Sequence, residues 1–358
     1  MGLTSSQRQA IKYFTAYALK HKAEAKATIH HVLNMSNISC EVFEQAVHHI
    51  KANAQISLHF HPDRPVSITK NVAESLLEHG EYKSQFETLI SNGKVSPHPG
   101  GDRDVWEENM FGGAYQVEGT SMSERPKYGA LNLMLHPDGP SPRFGSCYFM
   151  LSPNVSSRST FTYMDSHQNP YEKGTYQEFD MILAALLEEI FLRDFALGEK
   201  DLTPTRFLQH VWNHLENGRK GSVAHRNLNH YIESQIHGPI SLEKDVEVLV
   251  ADPSFKDTNV GETLEQMCSK YAIDLQWHMG FVLHVDDIPS NFRGPSMPSL
   301  ARRISQKNKI DAHTIGLAAL DVKQNPHSWS DRGTYEDVLQ ELKLLWHVLV
   351  KYGRPKEK

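Results

Sequence analysis

The stretch Tyr231–Gly238 (YIESQIHG) alternates polar and apolar residues. As a β-strand it sends Tyr231, Glu233, Gln235 and His237 to one face and Ile232 and Ile236 to the other. Four side chains that hydrogen-bond or titrate are unusual in one row on a face that should serve a core. Far upstream, Ile56–Arg64 (ISLHFHPDR) is a second short strand with polar groups on alternate positions, and it ends at an arginine. Either strand alone also fits a half-buried surface strand. Together, a strand-borne Arg early and a strand-borne Glu late point to a split site assembled by folding.

The 358 residues exceed a typical single domain, so one large domain with additions, or two, is expected. A net charge of −6 carries no basic surplus to neutralise phosphates and argues against nucleic acid as the main partner. The 21 histidines would move that charge towards neutral near their ordinary pKa. Cys40, Cys147 and Cys268 have no CxxC spacing and read as free thiols in a reducing compartment. No run reaches membrane-spanning length, and the N-terminus lacks an apolar signal core. Met1–Ser6 superficially fits an N-myristoylation pattern.

The pattern predicts helices over residues 4–53, then strand from Ile56, then a helix at about 70–79 closed by Gly80. Residues 91–127 read as a long Gly-, Pro-, Asn- and Asp-rich functional loop region. Strands are expected at Tyr128–Leu135, Gly145–Leu151 and Ser159–Tyr163, and helices at about 176–197 and 204–216. The Tyr231 strand follows, with Ser241 capping a helix that runs through Asp245 to Val250 and another helix near 261–271. Leu275–Val285 reads as strand and Thr334–Val350 as a last amphipathic helix. The class is α+β, with helices interrupting a mostly antiparallel set of strands.

Phosphate-loop, Rossmann, zincin and hydrolase-elbow motifs are missing. His59 and His61, at i and i+2 on one strand face, are the best metal pair, with His225, His230, His237 or Asp63 as a third ligand of a metal-dependent hydrolase. The other chemistry is cleavage of an N-glycosidic bond. Positive charge grows on the sugar, so a carboxylate near the ribose hydroxyls stabilises the transition state. A dinucleotide also needs a cation for its phosphates and hydroxyl donors. Arg64, Ser159 and Glu233 supply these groups in the early, middle and late order of the ADP-ribosyltransferase fold.

Eight longer stretches are more specific: Leu58–Arg64 (LHFHPDR), Tyr82–Gly93 (YKSQFETLISNG), Gly100–Glu107 (GGDRDVWE), Phe111–Gln116 (FGGAYQ), Glu124–Leu133 (ERPKYGALNL), Arg143–Tyr148 (RFGSCY), Ser159–Ser166 (STFTYMDS) and the Tyr231 strand. From about residue 4 to about 303 the chain resembles a bacterial family, formerly a domain of unknown function, of CteC-like effectors that ADP-ribosylate ubiquitin on threonine.

The resemblance implies an ADP-ribosyltransferase-like split β-sheet core over residues 55–303, with an N-terminal helical segment (1–54) and a C-terminal helical extension (304–358) packed on it. It implies NAD as substrate, transfer of ADP-ribose to a side-chain hydroxyl, and a block on ubiquitin conjugation. NAD glycohydrolase activity, with water as acceptor, is the nearest alternative. Glu233 would be the catalytic glutamate and Arg64 the residue gripping NAD, with His59 and His61 contacting the dinucleotide instead of a metal.

Ser159 and Thr160 stand where the family's Ser/Thr strand should lie, although the STFT sequence departs from the common STS and Ser146 competes for the role. Ser84, Arg103, Arg125 and Tyr128 complete the implied NAD contacts, with Tyr82 and Glu87 beside Ser84. Tyr231, Gln235 and His237 would face the protein acceptor. Tyr231 replaces the Glu or Gln found two residues before the catalytic Glu in many arginine-modifying relatives, which suits a hydroxyl acceptor. Trp106 and Phe111 read as core, and Trp277 with His278 as structural. The implied place of work is a cytosol, the bacterium's own or a host's after secretion and translocation.

Overall fold

The computed structural model describes residues 2–90, 96–216 and 224–356. Residues 91–93, the end of the Tyr82–Gly93 stretch, and Met1 of the acylation pattern lie outside them. The principal strands are β1 (Ile56–Phe60), β2 (Lys127–Leu131), β3 (Cys147–Leu151), β4 (Ser159–Tyr163), β5 (Lys173–Thr175), β6 (Ile232–Ile236), β7 (Val246–Ala251) and β8 (Asp274–Trp277). They form one sheet in the order β8-β7-β3-β1-β2-β6-β4-β5, antiparallel throughout except for β7 with β8.

The α-helices longer than one turn are α1 (Ser5–Met35), α2 (Cys40–Asn53), α3 (Val72–His79), α4 (Asp102–Phe111), α5 (Asp180–Arg193), α6 (Pro204–His214), α7 (Asn259–Tyr271), α8 (Met297–Ile304), α9 (Ala312–Gln324) and α10 (Tyr335–Tyr352). Two small antiparallel pairs complete the strands: the hairpin Phe195–Ala196 with Glu199–Lys200, and Leu283–His284 with Lys309–Ile310. The fold is α+β.

Local chemistry sets the boundaries. Thr4 caps α1 in a reciprocal box with Gln7, and Asn71 does the same for α3 with Glu74. Gly80 ends α3 at φ 67°, a left-handed value that suits glycine. The alternation in each strand then separates two faces. Ile56, Leu58, Phe149, Phe161, Ile232, Ile236 and Leu249 belong to the main apolar core, which α1, α5 and α7 help to build. Full burial of each such side chain contributes roughly 1.5–3 kcal/mol. By register, the opposite face carries Ser57, His59, Tyr148, Tyr128, Glu233, Gln235, Thr160 and Thr162.

Five sequence expectations are corrected, the first two being that β1 ends at Phe60, so Arg64 follows the strand instead of standing on it, and that β2 ends at Leu131, not Leu135. Val246–Ala251 is a strand, not the end of a helix, and only Leu242–Asp245 turns helically before it. Its alternating valines suit a pleated sheet better than the cap at Ser241 suits a longer helix. Leu275–Val285 is not one strand, because the sheet pairing ends at Trp277. Residues 91–127 are not all loop, since α4 occupies the middle of them.

Candidate active site in a forked sheet

The central strands β1 and β2 pair only at one end, through Ile56 with Leu131 and Ser57 with Ala130. Beyond that point β1 stays with β3 as far as Phe60, while β2 stays with β6 back to Lys127. The sheet therefore opens like a fork, and a cavity of about 380 Å³ lies in the opening. His59, His61 and Arg64 line one side, and Tyr128, Gly129 and Glu233 line the other. Gly129 stands near the root, where a Cβ would come within 2.7 Å of the Ser57 carbonyl oxygen. The volume falls in the range of small-molecule sites.

Glu233 is buried, and three donors hold its carboxylate. The Ser166 hydroxyl and the Gln235 amide (3.0 Å) donate to Oε1, and the Ser166 N–H donates to Oε2 at 3.4 Å. Behind it the donors run in one direction. Tyr115 O–H donates to His237 Nδ1, and His237 Nε2–H donates to the Thr160 hydroxyl at 3.1 Å. Thr160 donates in turn to Gln235 Oε1 at 2.9 Å, which turns the Gln235 amide nitrogen towards Glu233 and Thr162. Burial lowers the His237 pKa to about 3, consistent with the neutral tautomer that this chain needs. Burial also pushes Glu233 up to about 7, and the nearby charge of Asp165 adds to the shift.

Ser166 reaches Glu233 because the chain turns sharply after β4, with Met164 at φ 72°, a conformation costly for a side-chain-bearing residue. Trp106 Nε1 donates to the Ser166 carbonyl at 3.1 Å and steadies that turn. Trp106 also stacks on Tyr128 with ring centroids 5.4 Å apart, and the Arg103 guanidinium lies 4.5 Å from the Trp106 ring. All three line the cavity beside Glu233.

Cations gather in the fork. Arg64, Arg143 and Lys343 line the cavity together. Burial lowers the Lys343 pKa to about 8, and the charges of Arg143 and Arg64 add to the effect. Arg143 donates to Asp165 at 3.2 Å and to Asn229 Oδ1 at 3.0 Å. Lys343 comes from α10, whose Trp346 donates to the Pro142 carbonyl at 2.8 Å and so fixes the helix against the loop that carries Arg143. Like charges that line one cavity favour an anionic ligand.

Residues 55–352 match the family described as "Protein of unknown function (DUF3626)". The chain belongs to this family. Curated proteins give no match to it. The DUF3626 match begins at β1 and ends within α10, so it takes in both sides of the fork and Lys343.

Of the residues singled out in the sequence, Glu233, Arg64, His59, His61, Ser84, Arg103 and Tyr128 meet at this cavity, as does Tyr82. His59 has little left to offer a ligand: Nδ1 donates to the Gly145 carbonyl at 3.3 Å, and Nε2 accepts from Ser141 N–H at 3.4 Å. Burial lowers the pKa of both His59 and His61 to about 3. Ser84 lines the wall with its hydroxyl donated to the Met122 carbonyl.

Others do not reach the cavity. Arg125 is buried in ion pairs with Asp104 and Glu107, so it braces α4 instead of clamping phosphate. The Ser159 hydroxyl donates to the Val155 carbonyl, and Thr160, Gln235 and His237 form the support behind Glu233. Tyr231 is buried, with its ring edge-on to Phe144. Ser146, the competing serine, precedes β3 and meets His61 Nδ1 at 3.4 Å. Among the described residues, the one group of three close metal-type donors excludes His59 and His61. Phe111 is core, and Trp106, partly buried, packs against that cluster and lines the cavity as well.

Sequence reasoning missed Arg143, Asp165, Ser166 and Lys343. The first three lie within the RFGSCY and STFTYMDS stretches, which carried a signal without assigning roles. Lys343 carried none, because a lysine on an amphipathic helix reads as solvent-facing.

Proposed function

We propose that the chain is an NAD-dependent mono-ADP-ribosyltransferase, built on an ADP-ribosyltransferase-like core, that acts on a threonine hydroxyl of ubiquitin. The observation that carries the reading is Glu233. It is a buried carboxylate oriented by three donors, and it lines a nucleotide-sized cavity together with basic side chains that include Arg64, Arg143 and Lys343. Arg64, Arg143 and Lys343 suit a pyrophosphate, and the Trp106–Tyr128 stack with Arg103 suits a planar ring. NAD as substrate and a ubiquitin threonine as acceptor rest on the resemblance of the eight sequence stretches.

In this reading the basic wall of the fork holds the diphosphate, and the glycosidic carbon lies beside Glu233. As nicotinamide leaves, the Glu233 carboxylate stabilises the positive charge on the ribose and holds its 2′-hydroxyl. The carboxylate must be ionised to do this, and a pKa near 7 makes the fraction in that form depend on pH. Gln235 and Ser166 keep it aimed. The acceptor hydroxyl then attacks the exposed carbon and gives up its proton to solvent.

The test is nicotinamide release from NAD by the parent chain and by Glu233→Gln. Release by the parent and a loss of at least a hundredfold in the variant, with NAD affinity within a few-fold, is expected. Equal rates in the two proteins would remove Glu233 from the chemistry.

A further inference from the structure

Away from the fork, three loops bring His136, Glu199 and His225 together, with their donor atoms all within 4.8 Å of one another. His136 lies beyond β2, Glu199 is in the hairpin after α5, and His225 is in the segment that leads into β6. Glu199 Oε1 lies 3.1 Å from His225 Nδ1 and 3.6 Å from His136 Nδ1. The two imidazole rings lie 4.1 Å apart.

The tautomer of His136 leaves one donor atom of this group without a partner. Its Nε2 is 2.8 Å from the Leu197 carbonyl and must donate to it, so Nδ1 carries a lone pair. That Nδ1 is buried and has no hydrogen-bond partner, yet it lies beside a carboxylate oxygen. A lone pair on buried His136 that faces a half-buried carboxylate is a pair of acceptors that a cation between them would satisfy.

We propose that His136 Nδ1, His225 Nδ1 and Glu199 Oε1 bind a Zn²⁺ ion whose fourth position is left to water. Zn–N and Zn–O bonds of about 2.0–2.2 Å in a tetrahedron place neighbouring donors roughly 3.3–3.6 Å apart, and the two distances to Glu199 bracket that range. A ligating histidine that donates its other ring N–H to a backbone carbonyl is the usual support for such a site, and His136 has it. The His225 side is held as well, since Asp138 accepts from the N–H groups of His225 and Arg226 at 3.0 and 2.9 Å. The ion would tie the hairpin and the β6 approach to the loop that continues to Ser141 and Arg143 on the cavity wall.

The test is metal analysis of the full chain as purified, followed by chelation and titration with Zn²⁺ alone. We expect about one equivalent of zinc, a melting temperature that falls on chelation and recovers with Zn²⁺, and a visible tetrahedral spectrum with Co²⁺. Glu199→Gln and His225→Ala are expected to weaken Zn²⁺ binding at least tenfold. Because loss of binding in His225→Ala is also the result of misfolding, Glu199→Gln, which keeps the shape, is the deciding variant. No zinc uptake by the chelated parent, or unchanged uptake in Glu199→Gln, would overturn the site.

Discussion

Glu233 is expected to govern both activity and pH response. Its folded-state pKa is raised to about 7, chiefly by burial, so folding favours the protonated form. Stability is therefore lost as pH rises from the ordinary glutamate value towards 7, while the ionised, active form grows over the same window. Transfer should rise with pH to a plateau with a midpoint near 7. Glu233→Gln, which cannot ionise, should gain on the order of 1–3 kcal/mol over the parent between pH 4 and pH 8, read from urea unfolding. The support behind Glu233 gives a second expectation. Thr160→Val keeps the shape but removes the hydroxyl that fixes the Gln235 amide. It should lower kcat at least tenfold with little change in KM, and unchanged kcat would show that the support is only structural. Glu233 was legible in the sequence because alternation marks a strand face. Its partners were not, because the pairing of Thr160 with Gln235 depends on the register of β4 against β6. Arg125 was misplaced for a related reason, since sequence does not show that Asp104 and Glu107 meet it on α4.

At the scale of elements, the fork depends on close backbone approach at its edges. Gly145 precedes β3, and a Cβ there would lie 2.3 Å from the Phe60 backbone nitrogen. Gly145→Ala should therefore push β1 from β3 and destabilise the chain by about 1–3 kcal/mol, seen as a lower urea midpoint. An unchanged midpoint would mean that the strands can part without cost. The strands that form the fork were readable, because Ile56–Phe60, Cys147–Leu151 and Ile232–Ile236 carry apolar residues at the spacing a buried face needs. The fork itself was not readable. It arises from where β1 leaves β2, and no local pattern reports a pairing that stops after two residues. Val246–Ala251 was misread because a serine cap outweighed β-branched alternation, although the strand is held between β3 and β8.

Across the whole molecule, the last helix completes the site formed by the strands. Trp346 is buried and anchors α10 to the Pro142 carbonyl, which brings Lys343 to the same cavity as Arg64. Arg64→Ala and Lys343→Ala should each weaken NAD binding by about tenfold or more, measured by calorimetry, because a charged hydrogen bond contributes roughly 1.5–3 kcal/mol. Unchanged affinity in both would move the phosphate contact elsewhere. No helix among the described residues is long and apolar enough to cross a membrane. The most direct measurement is intact-mass spectrometry of ubiquitin incubated with NAD and the parent chain, with Glu233→Gln as control. A gain of one ADP-ribosyl unit with the parent and none with the variant is the expected result. Unmodified ubiquitin together with unconsumed NAD would contradict it.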